Sequence, residues 1–219
     1  SEVHALLASH DGANGFLERG DSGDVTLSIG SGSNDAAWIL ECPRCGGSWP
    51  GGTVVCPDDG EPLEEDPTKL VGRTLDGTYR LEELVGQGGF GMVYRAQHEL
   101  LGDRVAIKIL KRELAASPDV VRRFVREGRV ARSINHENVV AIRDLRSSAN
   151  GLVFLVMEFL EGRTLRDELK RIGRLPLERA VSIVEQIADG LDAAHALGVV
   201  HRDLKPENVM LDGEGDSVR

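Results

Sequence analysis

Cysteine is scarce in this chain, and what there is falls in one place. The 219 residues contain three cysteines, Cys42, Cys45 and Cys56, two of them in a C-x-x-C pair. An odd, clustered set does not suit a disulfide framework and leaves a metal site or reduced thiols. Long apolar runs are missing too: none approaches the ~18 residues that a bilayer-spanning helix requires. The opening residues, SEVHALLASHDG, have neither a basic n-region nor a long apolar core, so no signal peptide is expected. These absences point to the cytoplasm. The chain starts at Ser1 rather than Met, which suggests a processed or incomplete N-terminus. A basic surplus is also lacking. Residues 1–70 hold 13 acidic and 3 basic side chains and the remaining 149 hold 23 of each, so the net charge of -10 belongs to the N-terminal segment. That balance argues against nucleic acid or an anionic membrane as its partner and favours a solvated acidic linker. The 41% hydrophobic content is enough for a core, and the length suits one to two domains.

Residues 1–37 are rich in Gly, Ser, Asp and Asn and carry no recognisable chemistry. Residues 24–29 alternate like one strand; the remainder reads as flexible or unassigned. Residues 38–63 hold Cys42-Pro43-Arg44-Cys45-Gly46-Gly47 and then Cys56-Pro57-Asp58-Asp59-Gly60, a spacing of C-x2-C-x10-C-x2-D. Two tight turns, each opened by a cysteine, resemble the paired knuckles of a zinc ribbon. Tetrahedral zinc takes four ligands, usually Cys or His; here Asp59 stands in the fourth place as a weaker oxygen ligand. The segment has few large apolar residues (Trp38, Ile39, Leu40, Trp49, Val54, Val55), so a metal would supply much of its folding free energy. The alternative is a knuckle that has lost its metal and persists as a pair of Gly/Pro turns. A thioredoxin-type redox role fits less well, because no βαβ pattern surrounds the pair. The run from Glu61 to Lys69 is acidic with two prolines, and residues 64–77 are expected to form a linker.

From residue 78 the pattern changes. Tyr79-Arg80-Leu81-Glu82-Glu83-Leu84-Val85 alternates like a strand and runs into Gly86-Gln87-Gly88-Gly89-Phe90-Gly91-Met92-Val93. G-x-G-x-x-G alone is a weak signal, shared with dinucleotide-binding turns. There the glycines open a helix; here Val93-Tyr94-Arg95-Ala96 is a second strand, which makes a hairpin. Val105-Ala106-Ile107-Lys108 follows as a third strand. Ser117-Pro118 then signals a helix start, with Ser as N-cap and Pro at the first helical position, running to about Ser133. Glu127 lies in its middle, whereas Asp119 lies in the first turn. Gly128 costs the helix roughly 1 kcal/mol relative to Ala, which would leave it somewhat mobile. His136 reads as a turn or packing residue. Leu152 to Met157 is a buried-type strand that ends in Glu158-Phe159-Leu160.

Thr164 caps a further helix, and Pro176 to Leu197 forms a longer one with Ala180, Ile183, Val184, Ile187, Leu191 and Ala194 on its apolar face and Gly198 at its end. His195 is expected to pack on it. Next comes His201-Arg202-Asp203-Leu204-Lys205-Pro206-Glu207-Asn208, which fills all five defined places of H-R-D-L-x-x-x-N. Val209-Met210-Leu211 is a short strand, residues 212–215 a turn, and Val218-Arg219 the start of another strand.

In combination these motifs resemble the eukaryotic-like (Hanks-type) serine/threonine protein kinases of bacteria, in particular forms with a small cysteine knuckle before the kinase region. The resemblance covers about residues 72–219. It implies an α+β, protein-kinase-like fold: an N-lobe antiparallel sheet plus C-helix over residues 78–157, and a partial helical C-lobe over 161–219, preceded by the zinc-ribbon-like segment. It implies ATP and Mg²⁺ as cofactors, Ser/Thr-bearing proteins as substrates, and transfer of the γ-phosphoryl group. Asp203 would be the base, Lys205 would steady the γ-phosphate, Asn208 would hold Mg²⁺, Lys108 would bind the α- and β-phosphates, and Glu127 would orient Lys108. Gly86, Gly88 and Gly91 would admit the phosphates. Val85, Val93, Ala106, Met157 as gatekeeper and Met210 as floor would enclose the adenine, with Glu158 to Leu160 as the hinge. Arg202 would link activity to activation-loop phosphorylation. No D-F-G follows, although the resemblance places it within a few residues of Arg219, and the activation loop and A-P-E are not in the sequence either. The chain is therefore expected to be part of a longer kinase and inactive as it stands. The alternative is a non-catalytic nucleotide-binding or scaffolding module, a pseudokinase by truncation.

Overall fold

The computed structural model describes residues 39–50, 53–148, 151–213 and 217–219. The strand expected at residues 24–29 lies outside them. The knuckle is a three-stranded antiparallel sheet in the order β2 (Ser48–Pro50), β1 (Ile39–Glu41), β3 (Glu64–Glu65). Its interior is small: Leu40, Cys42, Cys56 and Leu63 are buried, with Trp49 packed against them.

The stretch expected as an acidic linker is ordered instead. Asp66 follows β3 directly and caps a 3-10 turn over Pro67–Leu70, its carboxylate accepting the Thr68 N–H at 2.9 Å. The prolines and acids that suggest a linker here begin and cap that turn. Leu70 is fully buried, and β4 (Thr74–Leu75) pairs with the first long strand of the next sheet. What the charge pattern hides is that Leu70 and Leu75, spaced among polar residues, are buried and anchor the segment to the large sheet.

That second sheet has six strands in the order β4-β5-β6-β7-β9-β8, with β5 Tyr79–Gln87, β6 Gly91–His98, β7 Arg104–Leu110, β8 Ile142–Ser147 and β9 Val153–Glu158. All pairings are antiparallel. Period-two alternation sorts the strands' side chains into two layers. Tyr94, Ile107, Ile109, Phe154 and Val156 face a core on one side together with Leu70, Leu75 and Leu81. Val93, Ala106 and Met157 face the other with Val140. Each fully buried aliphatic side chain contributes about 2 kcal/mol of burial, so this sheet has a large apolar reservoir.

After a single turn, α1 (Arg112–Ala115), the helix α2 (Pro118–Arg132) packs across the sheet. Ser117 occupies the cap position without a side-chain hydrogen bond, so the fixed φ of Pro118 rather than capping starts the helix. Gly128 has a packing role that the sequence does not reveal. A Cβ there would lie 2.8 Å from Leu155 Cδ2, so glycine lets α2 sit directly on β9. The residue that lowers helix propensity thus also serves this close contact.

The remaining described residues form α3 (Leu165–Ile172), α4 (Leu177–Ala196) and a small sheet of β10 (Gly162–Thr164), β11 (Met210–Asp212) and β12 (Ser217–Val218). Thr164 caps α3 as expected, accepting the Asp167 N–H at 3.1 Å and donating to its carboxylate at 2.7 Å. Glu168, almost completely buried, accepts from Arg163, Arg171 and Arg179 at 2.6–3.0 Å and ties α3 to α4. Ile183 and Ala194 of α4 are buried, but Val184 is 62% exposed and His195 is exposed rather than packed. Asn138 joins the two halves: its amide donates to the Val218 carbonyl at 2.9 Å, and Gly190 lets α4 approach the Asn138 backbone. Among the described residues no helix is long and apolar enough to cross a membrane.

Candidate active site

The glycine-rich stretch is a hairpin, as its flanking strands imply. Gly88 N–H donates to Gly91 O at 2.9 Å and closes the turn between β5 and β6. Gly91 has no room for a side chain, because a Cβ would stand 2.1 Å from the Ile109 carbonyl oxygen. Val93 is paired with Lys108 across β6 and β7. Lys108 is the one charged side chain in a strand that is otherwise apolar from Val105 to Leu110, and it is only 6% exposed. Burial pulls its pKa down to about 8, while the negative charge of Glu127 on α2 works in the opposite direction. The helix thus brings its middle carboxylate, and not Asp119 of the first turn, within electrostatic range of the lysine. Glu127 itself is exposed.

Between the two halves lies an apolar cleft of about 360 Å³, counting its open mouth. Val85, Ala106, Met157, Glu158, Leu160 and Met210 line it, all of them expected there. Phe159, the middle residue of the expected hinge, lines it as well, and so does Val140, which carries no motif signal; the hydrophobic run entering β8 is the available clue. Met157 is buried beside Val93 and Ala106. At the hinge, the Glu158 N–H donates to Ala141 O at 3.0 Å, and the Glu158 carboxylate accepts the Ala141 N–H at 2.8 Å. The Glu158 N–H is therefore spent on the neighbouring strand and is not the group offered to a base.

The loop before β11 gathers the remaining polar residues. Lys205 Nζ lies 2.9 Å from Asp203 Oδ2. The Asn208 amide donates to the Asp203 carbonyl at 2.7 Å and to its carboxylate at 3.3 Å. This fixes the orientation of the amide, and its other end, Oδ1, is buried without a hydrogen-bond partner. A buried bare carbonyl-type oxygen is costly and is the kind of donor a hard divalent cation accepts. Asp203 N–H in turn donates to His201 O at 2.8 Å and to His201 Nδ1 at 3.3 Å, and burial lowers the His201 pKa. His201 is thus a neutral brace with its Nδ1 as acceptor. Arg202 adopts a left-handed backbone (φ 59°) and is exposed, whereas Asp203 beside it is half-buried.

A second polar cluster sits in the knuckle. The ligand atoms of Cys42, Cys45, Cys56 and Asp59 all lie within 4.8 Å of one another. Cys45 Sγ is 3.6 Å from Cys56 Sγ, and Cys42 Sγ is 3.4 Å from both Asp59 oxygens. Backbone N–H groups of Cys45 and Gly47 donate to Cys42 Sγ and Cys45 Sγ. The Cys45 thiol is pushed up to about 12: the Gly47 N–H favours the thiolate, but hydrogen bonds with Cys42 and Cys56 and burial outweigh it. Asp59 is held below the ordinary carboxylate range, chiefly by the Glu61 N–H. His136 accepts the Asn138 N–H at 3.2 Å, the turn role expected of it.

Comparison with known proteins agrees with this geometry. The family described as "Protein kinase domain" matches residues 79–219. The serine/threonine-protein kinase PknA of Mycobacterium tuberculosis is 42% identical over 149 residues, which are 66% of this chain and 35% of PknA. PrkC of Bacillus subtilis is 38% identical over 147 residues, 67% of this chain and 22% of PrkC. The crystal structure of the M. tuberculosis PknI kinase domain superimposes with a TM-score of 0.58 at 30% identity, covering 67% of this chain and 59% of that domain. The chain thus spans about a third of the length of PknA.

Proposed function

This chain belongs to the protein kinase domain family, and we propose that it supplies the nucleotide-binding and base-bearing parts of a serine/threonine kinase. The observation that carries the reading is the Asp203–Lys205–Asn208 cluster, with the Asn208 oxygen bare and buried opposite its anchored amide. Asn208 would hold Mg²⁺, which when bound neutralises charge on the phosphates of ATP. The protein residues do the rest. The apolar cleft takes the adenine, and the glycine hairpin lets backbone reach the phosphates. Lys108, kept cationic by Glu127 against the cost of burial, grips the α- and β-phosphates. Asp203 accepts the proton of a Ser or Thr hydroxyl as its oxygen bonds to the γ-phosphorus and the bridging bond to ADP breaks. Lys205, beside Asp203, meets the transferring phosphoryl group. A cytoplasmic setting, with ATP at hand and thiols reduced, is part of this reading.

The test is transfer of labelled γ-phosphate to a generic basic protein by the complete gene product. Transfer that Asp203→Asn abolishes while nucleotide binding persists is the expected result. No transfer with either Mg²⁺ or Mn²⁺ overturns the enzyme reading in favour of a non-catalytic nucleotide-binding module.

For the knuckle, the reading is a structural zinc ion held by Cys42, Cys45, Cys56 and Asp59. Zinc–sulfur bonds of ~2.3 Å at tetrahedral angles place sulfurs roughly 3.8 Å apart, close to the observed 3.6 Å between Cys45 and Cys56. Three thiols and a carboxylate crowded this closely are suited to share a cation. One equivalent of zinc in the purified chain is expected; less than about one-tenth of an equivalent removes the proposal.

A further inference from the structure

We infer that metal loading of the knuckle is transmitted to the strand that carries the nucleotide-binding hairpin, through a rigid splice at Asp66–Leu70. The inference rests on the zinc reading above and concerns what that site controls.

Four observations define the splice. Glu41 is the residue immediately before the ligand Cys42, and its carboxylate lies 2.8 Å from the Lys69 ammonium. Glu41 also pairs with Glu64 in the β1–β3 ladder, so the metal site, β1 and β3 form one unit. A single residue, Asp66, separates β3 from the 3-10 turn, and its side chain is engaged in capping that turn. The turn in turn belongs to the large sheet: Leu70 is buried in its core, and the Pro67 carbonyl accepts the Tyr94 hydroxyl at 2.8 Å.

Tyr94 is the receiving element. It is wholly buried in β6, directly after Val93, which is buried beside Ala106 and Met157, and it pairs with Ile107, the residue before Lys108. A tyrosine hydroxyl buried in an apolar layer needs a partner, and Pro67 provides it only while the 3-10 turn is held in place. The knuckle cannot hold that turn by its own burial, because two of its four core side chains are cysteines. Without metal, its strands have little to keep them folded, and the Glu41–Lys69 anchor goes with them. The splice then loses one of its two fixed ends. β6 loses the cap over Tyr94, and local opening of the hairpin becomes easier.

The experiment follows amide hydrogen exchange of the β6 segment in the full chain, with zinc titrated in or removed by a chelator. Zinc content is measured on the same samples. Knuckle folding is read from tryptophan fluorescence, since both tryptophans, Trp38 and Trp49, lie in that segment. Roughly tenfold slower exchange of β6 on zinc loading is expected, within the range of ordinary coupling between sites. Lys69→Met should bind zinc normally yet lose most of that response, and Tyr94→Phe should weaken it. Affinity for a fluorescent ATP analogue should rise with zinc in parallel. One equivalent of zinc with unchanged β6 exchange overturns the coupling and leaves the zinc site standing. Absence of zinc binding overturns the zinc reading and the coupling together. A response that survives in Lys69→Met at full size overturns the Glu41–Lys69 route.

Discussion

The cysteine knuckle and the six-stranded sheet stand one short turn apart in the chain, and both are antiparallel, yet their interiors are filled differently. The sheet is packed with Ile107, Ile109, Phe154, Leu155 and Val156, all completely buried. The knuckle encloses Leu40 and Leu63 with two thiols. Where aliphatic side chains are few, the same backbone architecture instead gathers three thiols and a carboxylate within 4.8 Å of one another. On the zinc reading, the first region folds only with its metal and the second does not need one.

The largest effect should come from Cys56→Ser. It removes a buried member of the Cys42–Cys45–Cys56–Asp59 cluster, and on the zinc reading the knuckle is expected to lose zinc and the protection of its β1 amides altogether. β7 and β9 should keep theirs, as seen by hydrogen exchange. If β7 and β9 open as well, the two regions form one cooperative unit and the contrast fails. Next in size is Gly91→Ala, which attacks the sheet without touching the metal. Its Cβ would meet the Ile109 carbonyl oxygen at 2.1 Å, so β6 and β7 must separate there. A loss on the order of 3 kcal/mol in denaturant unfolding is expected, with zinc content unchanged.

Glu168→Gln should cost on the order of 2 kcal/mol, by weakening charge-assisted hydrogen bonds to three arginines. Hydrogen bonds first from Arg171, then Arg179, and in lesser part from Arg163 hold the Glu168 carboxyl well below the usual carboxylate range. A depressed folded pKa gives stability that is present above the unfolded value, roughly 4.3, and is lost as pH falls below it. The deficit of Glu168→Gln relative to the parent chain should therefore shrink in acid. The smallest expected effect is the pH profile of nucleotide affinity. Lys108 titrates near 8 in the folded chain, below the ~10.4 of an exposed lysine. Between these values the unfolded chain holds more protons, so stability of the nucleotide-free chain rises with pH, whereas binding, which needs the ammonium, weakens. Above pH 8 affinity should fall up to about tenfold per unit, and Lys108→Met should flatten the profile.

Much of the site is legible from residue order because its parts are motifs with mechanical reasons. The hairpin glycines are followed by a strand, Lys108 interrupts an apolar strand, and Asp203, Lys205 and Asn208 lie within six residues of one another, so local chain geometry alone brings them together. Glu127 follows from helix position. What is not legible depends on contacts distant in sequence. Val140 lines the cleft from a segment without a motif, and the commitment of the Glu158 N–H to Ala141 is a tertiary hydrogen bond. Gly128 looks like a weakness in a helix until Leu155 is placed beneath it. The acidic run near residue 66 looks like a tether because composition averages over the two leucines that matter. The exposure of Val184 departs from a helical face read by periodicity alone, since periodicity marks a face and not what covers it.

The position of Leu70 has a practical consequence for dissecting the chain. The stretch recognisable by kinship begins at residue 79, but the cooperative body begins earlier, at the turn that seals the far side of the sheet. A polypeptide trimmed to start at Tyr79 would keep the glycine hairpin, Lys108 and the Asp203–Asn208 loop and still have an open flank. Leu81 and Tyr94 would be wetted, and the tyrosine hydroxyl would lose its bond to the Pro67 carbonyl. Homology and physical integrity thus set different borders here, and the second border is the one a stable fragment must respect.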